Sequence, residues 1–346
     1  MIAFPTFGFA LAAQYWASAN LSELERITSR LQHNYKRYGV GEGLDFKVVA
    51  LGDNMSKLQV EDAAGDMSAS SSRLFVFDYD TTLAPYGTLP IGPSLEVLNA
   101  LGALASDQAN LVQVISRCSK EVCSSYFDEA DFLISTANTL VLPTQVMDMW
   151  FSQLPNVVLA AEHGAYLKRK GGLMWEQTDE SASELMRELR EYVLPIMEEF
   201  VESTDGAFVE EKEVSIVWHH GDADPDFGRF QASELVEQLQ EQMLWQNATV
   251  VRGSNDVEVK PKGTSKRNAV EQAIKAITEP LDFMLLVGND YESPEVFRGL
   301  RQQLPNLKAV YLCTVGQPTS ASYYVDSVPD LLKGLTQSPQ DMCVEG

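Results

Sequence analysis

Short, nearly continuous apolar runs alternate with amphipathic stretches over most of the chain. Leu74 to Phe77, Leu111 to Ile115, Val157 to Ala161, Phe283 to Val287 and Ala309 to Leu312 have the pattern of strands buried on both faces. Ser94 to Leu104, opened by Gly92-Pro93-Ser94, and residues 264–277 and 294–303 carry helical spacing between them. Such alternation predicts an α/β fold built on a doubly wound parallel sheet. Residues 169–259 break the rhythm with a long acidic helix (Glu180 to Glu202), a strand (Ala207 to Trp218), a helix (Phe230 to Gln242) and a strand (Ala248 to Val251). Helices packed on a small sheet make an α+β unit, predicted here as an insertion in the α/β domain.

The stretch before Arg73 reads differently. Leu21, Leu24, Ile27 and Leu31 have helical spacing over residues 21–38, and Gly39, Gly41 and Gly43 end that helix. Phe46 to Leu51 reads as a strand, and residues 54–72, rich in Ser, Ala, Asp and Gly, read as a linker. Residues 128–154 lack periodicity and read as an insertion. The expected division is 1–60, then a core in two parts (61–168 and 260–337) around a cap at 169–259, with an acidic tail at 338–346. Met1 to Ala19 is apolar and ends in Ala-Ser-Ala, but it lacks a basic n-region, so it reads as a chain start and not a secretion signal. No run reaches the roughly 18 apolar residues of a spanning helix.

Charge narrows the partners. The net charge of -23 repels nucleic acid and anionic membranes, and neither is expected as a partner. It leaves room for a phosphorylated substrate, because a bound cation and nearby lysines set the potential inside a site. Cys118, Cys123, Cys313 and Cys343 form no CxxC pair, which predicts reduced thiols, a cytoplasmic protein and no zinc site.

The first candidate chemistry closes the first core strand. Leu74 to Phe77 stops at Asp78, and Asp80 follows two residues later. Buried carboxylates need a metal, hydrogen bonds or solvent to offset desolvation. The carboxyl end of a strand is also where open α/β sheets bind ligands. One carboxylate there can attack phosphorus while its neighbour moves the proton. An N-cap aspartate beside a solvated one fits the spacing equally well.

Asp78-Tyr79-Asp80-Thr81-Thr82 after such a strand resembles the first motif of the haloacid dehalogenase-like phosphohydrolases. The resemblance implies Asp78 as nucleophile, Asp80 as general acid and base, and magnesium between Asp78 and the phosphate. Ser116, at the end of the next strand, matches the hydroxyl that meets phosphoryl oxygens. Lys266, in Glu258-Val259-Lys260-Pro261-Lys262-Gly263-Thr264-Ser265-Lys266, matches the charge-stabilising lysine of trehalose-phosphatases. A lysine at a helix N-terminus adds its charge to the helix field, which favours a bound anion. Leu285 to Asp290 is the fourth element, with Asn289 and Asp290 as the implied further metal ligands beside Asp78 and Asp80.

The predicted cap carries the most specific strings. Thr204-Asp205-Gly206, Glu210-Glu211-Lys212-Glu213, Val217-Trp218-His219 and Asp222 to Gly228 resemble trehalose-phosphatase caps. The resemblance implies that Glu162, Glu210, Lys212 and Glu258 bind the substrate, the last three through sugar hydroxyls. His219 and His220 read as neighbours on opposite faces of a strand and not as metal ligands. Tyr15-Trp16-Ala17, Tyr38 to Gly41 and Phe46 to Leu51 resemble the tail of the synthase domain in plant class II trehalose-phosphate synthase-like proteins. The chain therefore looks like the second half of such a protein, truncated or genuinely short.

Several positions depart from the family. Thr81 replaces a glycine, Arg117 stands one place early, Asn289 replaces an aspartate and Ser293 stands at an acidic position. The resemblance then implies a magnesium-dependent trehalose-6-phosphate phosphatase of reduced activity and weakened metal affinity. The alternative is a catalytically impaired module that binds sugar phosphates, or a trehalose-phosphate synthase subunit, and regulates. A phosphatase for another sugar phosphate is the third reading, which the intact cap strings disfavour.

Overall fold

The computed structural model of the protein describes residues 56–80, 82–83, 93–120, 147–151, 153–169, 172, 174–243, 247–288, 299–300, 307–315 and 321–336. In chain order these form β1 (Ser56–Lys57), α1 (Val60–Ser68), β2 (Arg73–Asp78), α2 (Leu95–Ser106), β3 (Asn110–Ile115), α3 (Met147–Phe151) and β4 (Val157–Ala161). Then come β5 (Tyr166–Lys168), β6 (Glu176–Gln177), α4 (Glu180–Ser203), β7 (Phe208–Glu211), β8 (Ile216–His219), α5 (Pro225–Met243), β9 (Ala248–Arg252) and β10 (Asp256–Pro261). The last are α6 (Lys266–Ala276), β11 (Phe283–Val287), β12 (Ala309–Val315), β13 (Tyr323–Val325) and α7 (Val328–Thr336).

The larger sheet has the order β1-β13-β12-β11-β2-β3-β4-β5-β6. Every pairing from β1 to β4 is parallel, and β5 and β6 extend the sheet antiparallel. Both faces are covered, which is why the strands are apolar throughout. Phe75, Phe77, Val112, Val114, Leu285 and Val287 pack against α2 and α7. Leu74, Val76, Ile115, Met284 and Leu286 pack against Ala269, Val270 and Ala273 of α6. This is the expected α/β core, doubly wound, with the sheet running on to Gln177.

The smaller sheet, β7-β8-β10-β9, is antiparallel throughout. One face carries Ile216, Trp218, Val257 and Val259 against Met186, Leu189 and Val193 of α4 and Leu235 and Leu239 of α5. The other face lies open to the core and takes the intervening positions, Glu210, His219, Glu258 and Lys260.

Four expectations change. Residues 54–72 are not a plain linker, because they hold β1 and α1; Ala63 is fully buried and α1 packs on α7. Ala207 to Trp218 is not one strand but the β7–β8 hairpin. No glycine or proline announces its turn; instead Lys212 N–H donates to the Ser215 carbonyl at 2.9 Å, and the Arg190 guanidinium of α4 holds the carbonyls of Lys212 and Glu213. β10 is a strand not among those expected, although Asp256-Val257-Glu258-Val259-Lys260 alternates polar and apolar residues. α5 also starts earlier, at Pro225, where proline suits a first helical position and Asp224 Oδ1 accepts the N–H groups of Asp226 (3.1 Å) and Phe227 (3.0 Å).

The helix expected over 21–38, the strand Phe46 to Leu51, Thr81, Asn289, Asp290, Ser293 and the acidic tail lie outside the described residues. Among the described residues no helix is long and apolar enough to cross a membrane.

Candidate active site

β2 delivers Asp78 to the carboxyl edge of the larger sheet, 7% exposed, with β3 and β11 alongside. Beyond β11 stands Gly288, where a Cβ would sit 3.3 Å from Asp78 Cβ, a tight approach to the carboxylate. On the other side of the edge α6 begins. Ser265 caps it by accepting Asn268 N–H at 3.3 Å, which sets Lys266 on the first turn. Lys266 Nζ lies 2.7 Å from Asp78 Oδ2, a charge-assisted contact between groups far apart in sequence.

Asp80 turns to the loop after β3. Its Oδ2 accepts the Ser116 hydroxyl at 3.0 Å and Arg117 N–H at 2.8 Å. Ser116 Oγ in turn accepts Cys118 N–H at 3.0 Å. Ser116 has one hydroxyl hydrogen, and it lies on Asp80, so a phosphoryl oxygen would have to compete for it. Cys118 Sγ is 3.7 Å from Asp80 Oδ1; burial, and then the charge of Asp80, pushes that thiol up to about 12, which leaves it unreactive at neutral pH.

The cap face is a mosaic of charges in register rows. Glu210, Val217 and Glu258 stand side by side across β7, β8 and β10, and Phe208, His219 and Asp256 form the next row. Lys212 Nζ, buried at the turn, donates to the Arg117 carbonyl of the core at 3.1 Å and lies 3.7 Å from Glu210 Oε2. Glu210 also pairs with His219 Nε2 at 2.8 Å. Burial alone would raise the Glu210 carboxyl, but His219 and Lys212 outweigh it and hold the group below its ordinary value. Burial likewise opposes the Lys212 charge, and Glu210 and Glu258 keep its pKa raised. Glu258 sits 3.0 Å from His163 Nε2 and 3.2 Å from Lys260 Nζ, and these partners overcome burial to hold it well below the carboxylate range.

Among the described residues, several contacts close the cap on the core. They include Lys212 to the Arg117 carbonyl, Arg117 to Asp256 (2.5 Å), Lys120 to Glu213, His163 to Glu258, and Glu162 Oε2 to Val214 N–H (2.9 Å). Glu162 and His163 follow β4 with φ of 47° and 57°, and Gly164 follows at 93°. A Cβ at Gly164 would lie 2.3 Å from Ala269 Cβ of α6, so only glycine fits there.

The structure thus brings Asp78 to Lys266, Asp80 to Ser116, and Glu210 to Lys212, and it sets Glu162 on the seam between core and cap. His163, Asp256 and Lys260 were missed by sequence reasoning, and His219 and Arg117 were not assigned partners. The one available signal was Gly164 directly after a strand and two polar residues. His219 and His220 do lie on opposite faces: His219 stacks on Phe208, and His220 stacks on Trp218 in the cap core.

Comparison with known proteins identifies the family and the fold. The trehalose-phosphatase family model matches residues 143–329, more than half of the chain. The UDP-forming alpha,alpha-trehalose-phosphate synthase 6 of Arabidopsis thaliana is 32% identical over 92% of the chain, which spans only 35% of that relative. Among solved structures, the C-terminal domain of C. albicans trehalose-6-phosphate phosphatase superposes with a TM-score of 0.66 at 26% identity, covering 81% of this chain and 97% of that one. The C-terminal domain of the Candida albicans trehalose synthase regulatory protein shares the fold, with a TM-score of 0.62 at 16% identity over 82% of this chain and 100% of that one. The chain belongs to the trehalose-phosphatase family.

Proposed function

We propose that the protein hydrolyses trehalose 6-phosphate to trehalose and phosphate through an aspartyl-phosphate on Asp78, with reduced activity. The observation that carries this reading is the 2.7 Å contact of Lys266 Nζ with the buried Asp78 carboxylate at the sheet edge. An Asp78 oxygen attacks phosphorus and the bond to the sugar oxygen breaks, while Asp80 supplies a proton to that oxygen. Asp80 then takes a proton from water, whose oxygen attacks the same phosphorus and frees Asp78. Lys266 shifts from Asp78 to the phosphoryl oxygens as charge spreads over them.

Asp78 and Asp80 offer hard carboxylate oxygens of the kind magnesium takes, and Asn289 and Asp290 are the proposed further ligands. Bound there, magnesium would neutralise charge on the phosphoryl group. Asn289 supplies a carbonyl oxygen in place of a full negative charge, which weakens affinity and with it turnover. On the cap side Glu210, Lys212 and Glu258 would receive the sugar hydroxyls.

One observation favours a second reading, a regulatory module that binds sugar phosphate without turnover, alone or beside a trehalose-phosphate synthase subunit. Glu210, Lys212 and Glu258 are already engaged by His219, the Arg117 carbonyl, and His163 with Lys260. A sugar must share or displace those partners. The deciding experiment is phosphate release from trehalose 6-phosphate and from glucose 6-phosphate in magnesium, against a chelated control. Selective, chelator-sensitive release supports the enzyme; binding without release makes the protein a sensor.

A further inference from the structure

The loop after β3 is tied to its neighbours one carbonyl at a time. Ser116 and Cys118 turn theirs to the core, where they accept the N–H groups of His163 (3.0 Å) and Glu162 (2.9 Å) from the turn after β4. Arg117, between them, turns its carbonyl to the cap and accepts Lys212 Nζ at 3.1 Å. Its guanidinium reaches the cap a second time, at Asp256 Oδ2. Lys212 lies at the β7–β8 turn, and Asp256 pairs with His219 at the far end of β8, so one core residue is anchored at both ends of that strand. The carboxylate is held ready in the turn between β9 and β10. Gly253 N–H donates to the Asp256 carbonyl at 2.9 Å, and a Cβ at residue 253 would push the Asp256 carboxylate aside.

A third bond of Arg117 goes to the proposed acid and base. Its N–H donates to Asp80 Oδ2 at 2.8 Å, beside the Ser116 hydroxyl at 3.0 Å. Both donors fall on Oδ2, which leaves Oδ1 to carry a proton. A phosphoryl oxygen that draws off the Ser116 hydroxyl leaves Asp80 with the Arg117 N–H and, among the described residues, the weak donor Cys118 at 3.7 Å. The residue that then orients Asp80 is the residue that the cap holds. It is also the arginine that stands one place early in the sequence.

We propose that Arg117 is a positioning residue that acts through Asp80. Its ties to Asp256 and Lys212 fix the N–H that aims the Asp80 carboxyl at the departing sugar oxygen. The proposal rests on the phosphatase reading of this site and names what aims its proton. As the bond from Asp78 to phosphorus forms and the bond to the sugar oxygen breaks, the Asp80 proton passes to that oxygen. A misaimed Asp80 therefore slows the loss of a basic alkoxide, whereas nitrophenolate leaves without a proton.

The test measures wild type, Arg117→Ala, Asp256→Ala, the double variant and Arg117→Lys in the full chain with magnesium. For trehalose 6-phosphate, each alanine variant is expected to lower kcat about ten- to a hundredfold with KM held within about twofold. The double variant should lose no more than the worse single one, and Arg117→Lys should regain part of the loss. For 4-nitrophenyl phosphate, kcat/KM should stay within about twofold, which also reports that the variants fold. Equal loss on both esters, additive losses, or a raised KM with kcat intact makes the contact a structural tie and overturns the positioning role alone. A wild type that releases phosphate from neither ester overturns the phosphatase reading and the role with it.

Discussion

The carboxyl edge of the larger sheet and the open face of the smaller one handle charge in opposite ways. At the edge, the strands themselves are apolar, and the charged groups stand just past their ends. Asp78 meets its lysine across 188 residues of sequence, on a scaffold whose stability comes from Phe75, Phe77, Leu285 and their neighbours. On the cap, the charges are built into the strands, at alternate positions of β7 and β10, and they neutralise one another there. The edge can exchange a charge without touching the packing beneath it. The cap cannot, because each buried ion is the counter-ion of another.

That contrast makes graded predictions. The largest effect is expected from Asp78→Asn, which keeps the shape and removes the nucleophile. Phosphate release should fall by on the order of 10⁴-fold or more, the scale of losing a group that bonds to substrate. Urea unfolding should change by only about 1 kcal/mol, since one hydrogen-bonded partner of Lys266 is weakened and not deleted. Unchanged release would end the catalytic reading. A large loss of stability would show that the edge is structural, as the cap is.

Lys212→Ala should reverse the pattern. It leaves the buried Arg117 carbonyl without its donor and Glu210 with His219 alone, a change that costs about 1 to 3 kcal/mol. Chemical denaturation followed through the near-ultraviolet signal of Trp218, in the cap core, reads it. A cost below about 1 kcal/mol would mean that water reaches the row and that the charges there are screened.

The smallest effect is the pH dependence of the same row. Glu210 and Glu258 are held below their ordinary 4.5, so their contribution is complete above that pH and is lost as pH falls through the lowered values. Lys212 is held above 10.5, so its contribution is complete below that pH and is lost as pH rises through the raised value. The cap should therefore be steadiest between the two, with its denaturation midpoint falling on both sides. A midpoint that stays flat down to about pH 3 would contradict the ion pairing.

The edge was legible in the sequence because an apolar run ending in carboxylates is a local pattern. The position of Lys266 was legible too, through the motif around it, although its partner emerges only from folding. The cap was harder. Glu210, Lys212 and Glu258 were identified by resemblance, but which groups they face depends on the register of β7, β8 and β10, and no local pattern fixes that register, although Asp256 to Lys260 alternates polar and apolar residues as a strand does. His163, Asp256 and Lys260 have meaning only once that register exists. The turn between β7 and β8 was hidden for a related reason: its carbonyls are held by Arg190 from another element, where a local turn would have carried glycine or asparagine. α1 was hidden because its Ala, Gly, Asp and Ser are loop-like by composition, and burial of Ala63 against α7 decides the matter.

The left-handed turn at Glu162, His163 and Gly164 bears on how such proteins can be recombined. The chain crosses to the cap near Asp179 and returns near Lys262, and a graft cut at those two points would seem to move the cap whole. Yet that turn belongs to the core, and it grips the cap at both Val214 and Glu258. A foreign cap seated on this core would meet a carboxylate and an imidazole shaped for a different guest. The transferable module is thus discontinuous, and a working chimera must carry residues 162–164 along with the cap they serve.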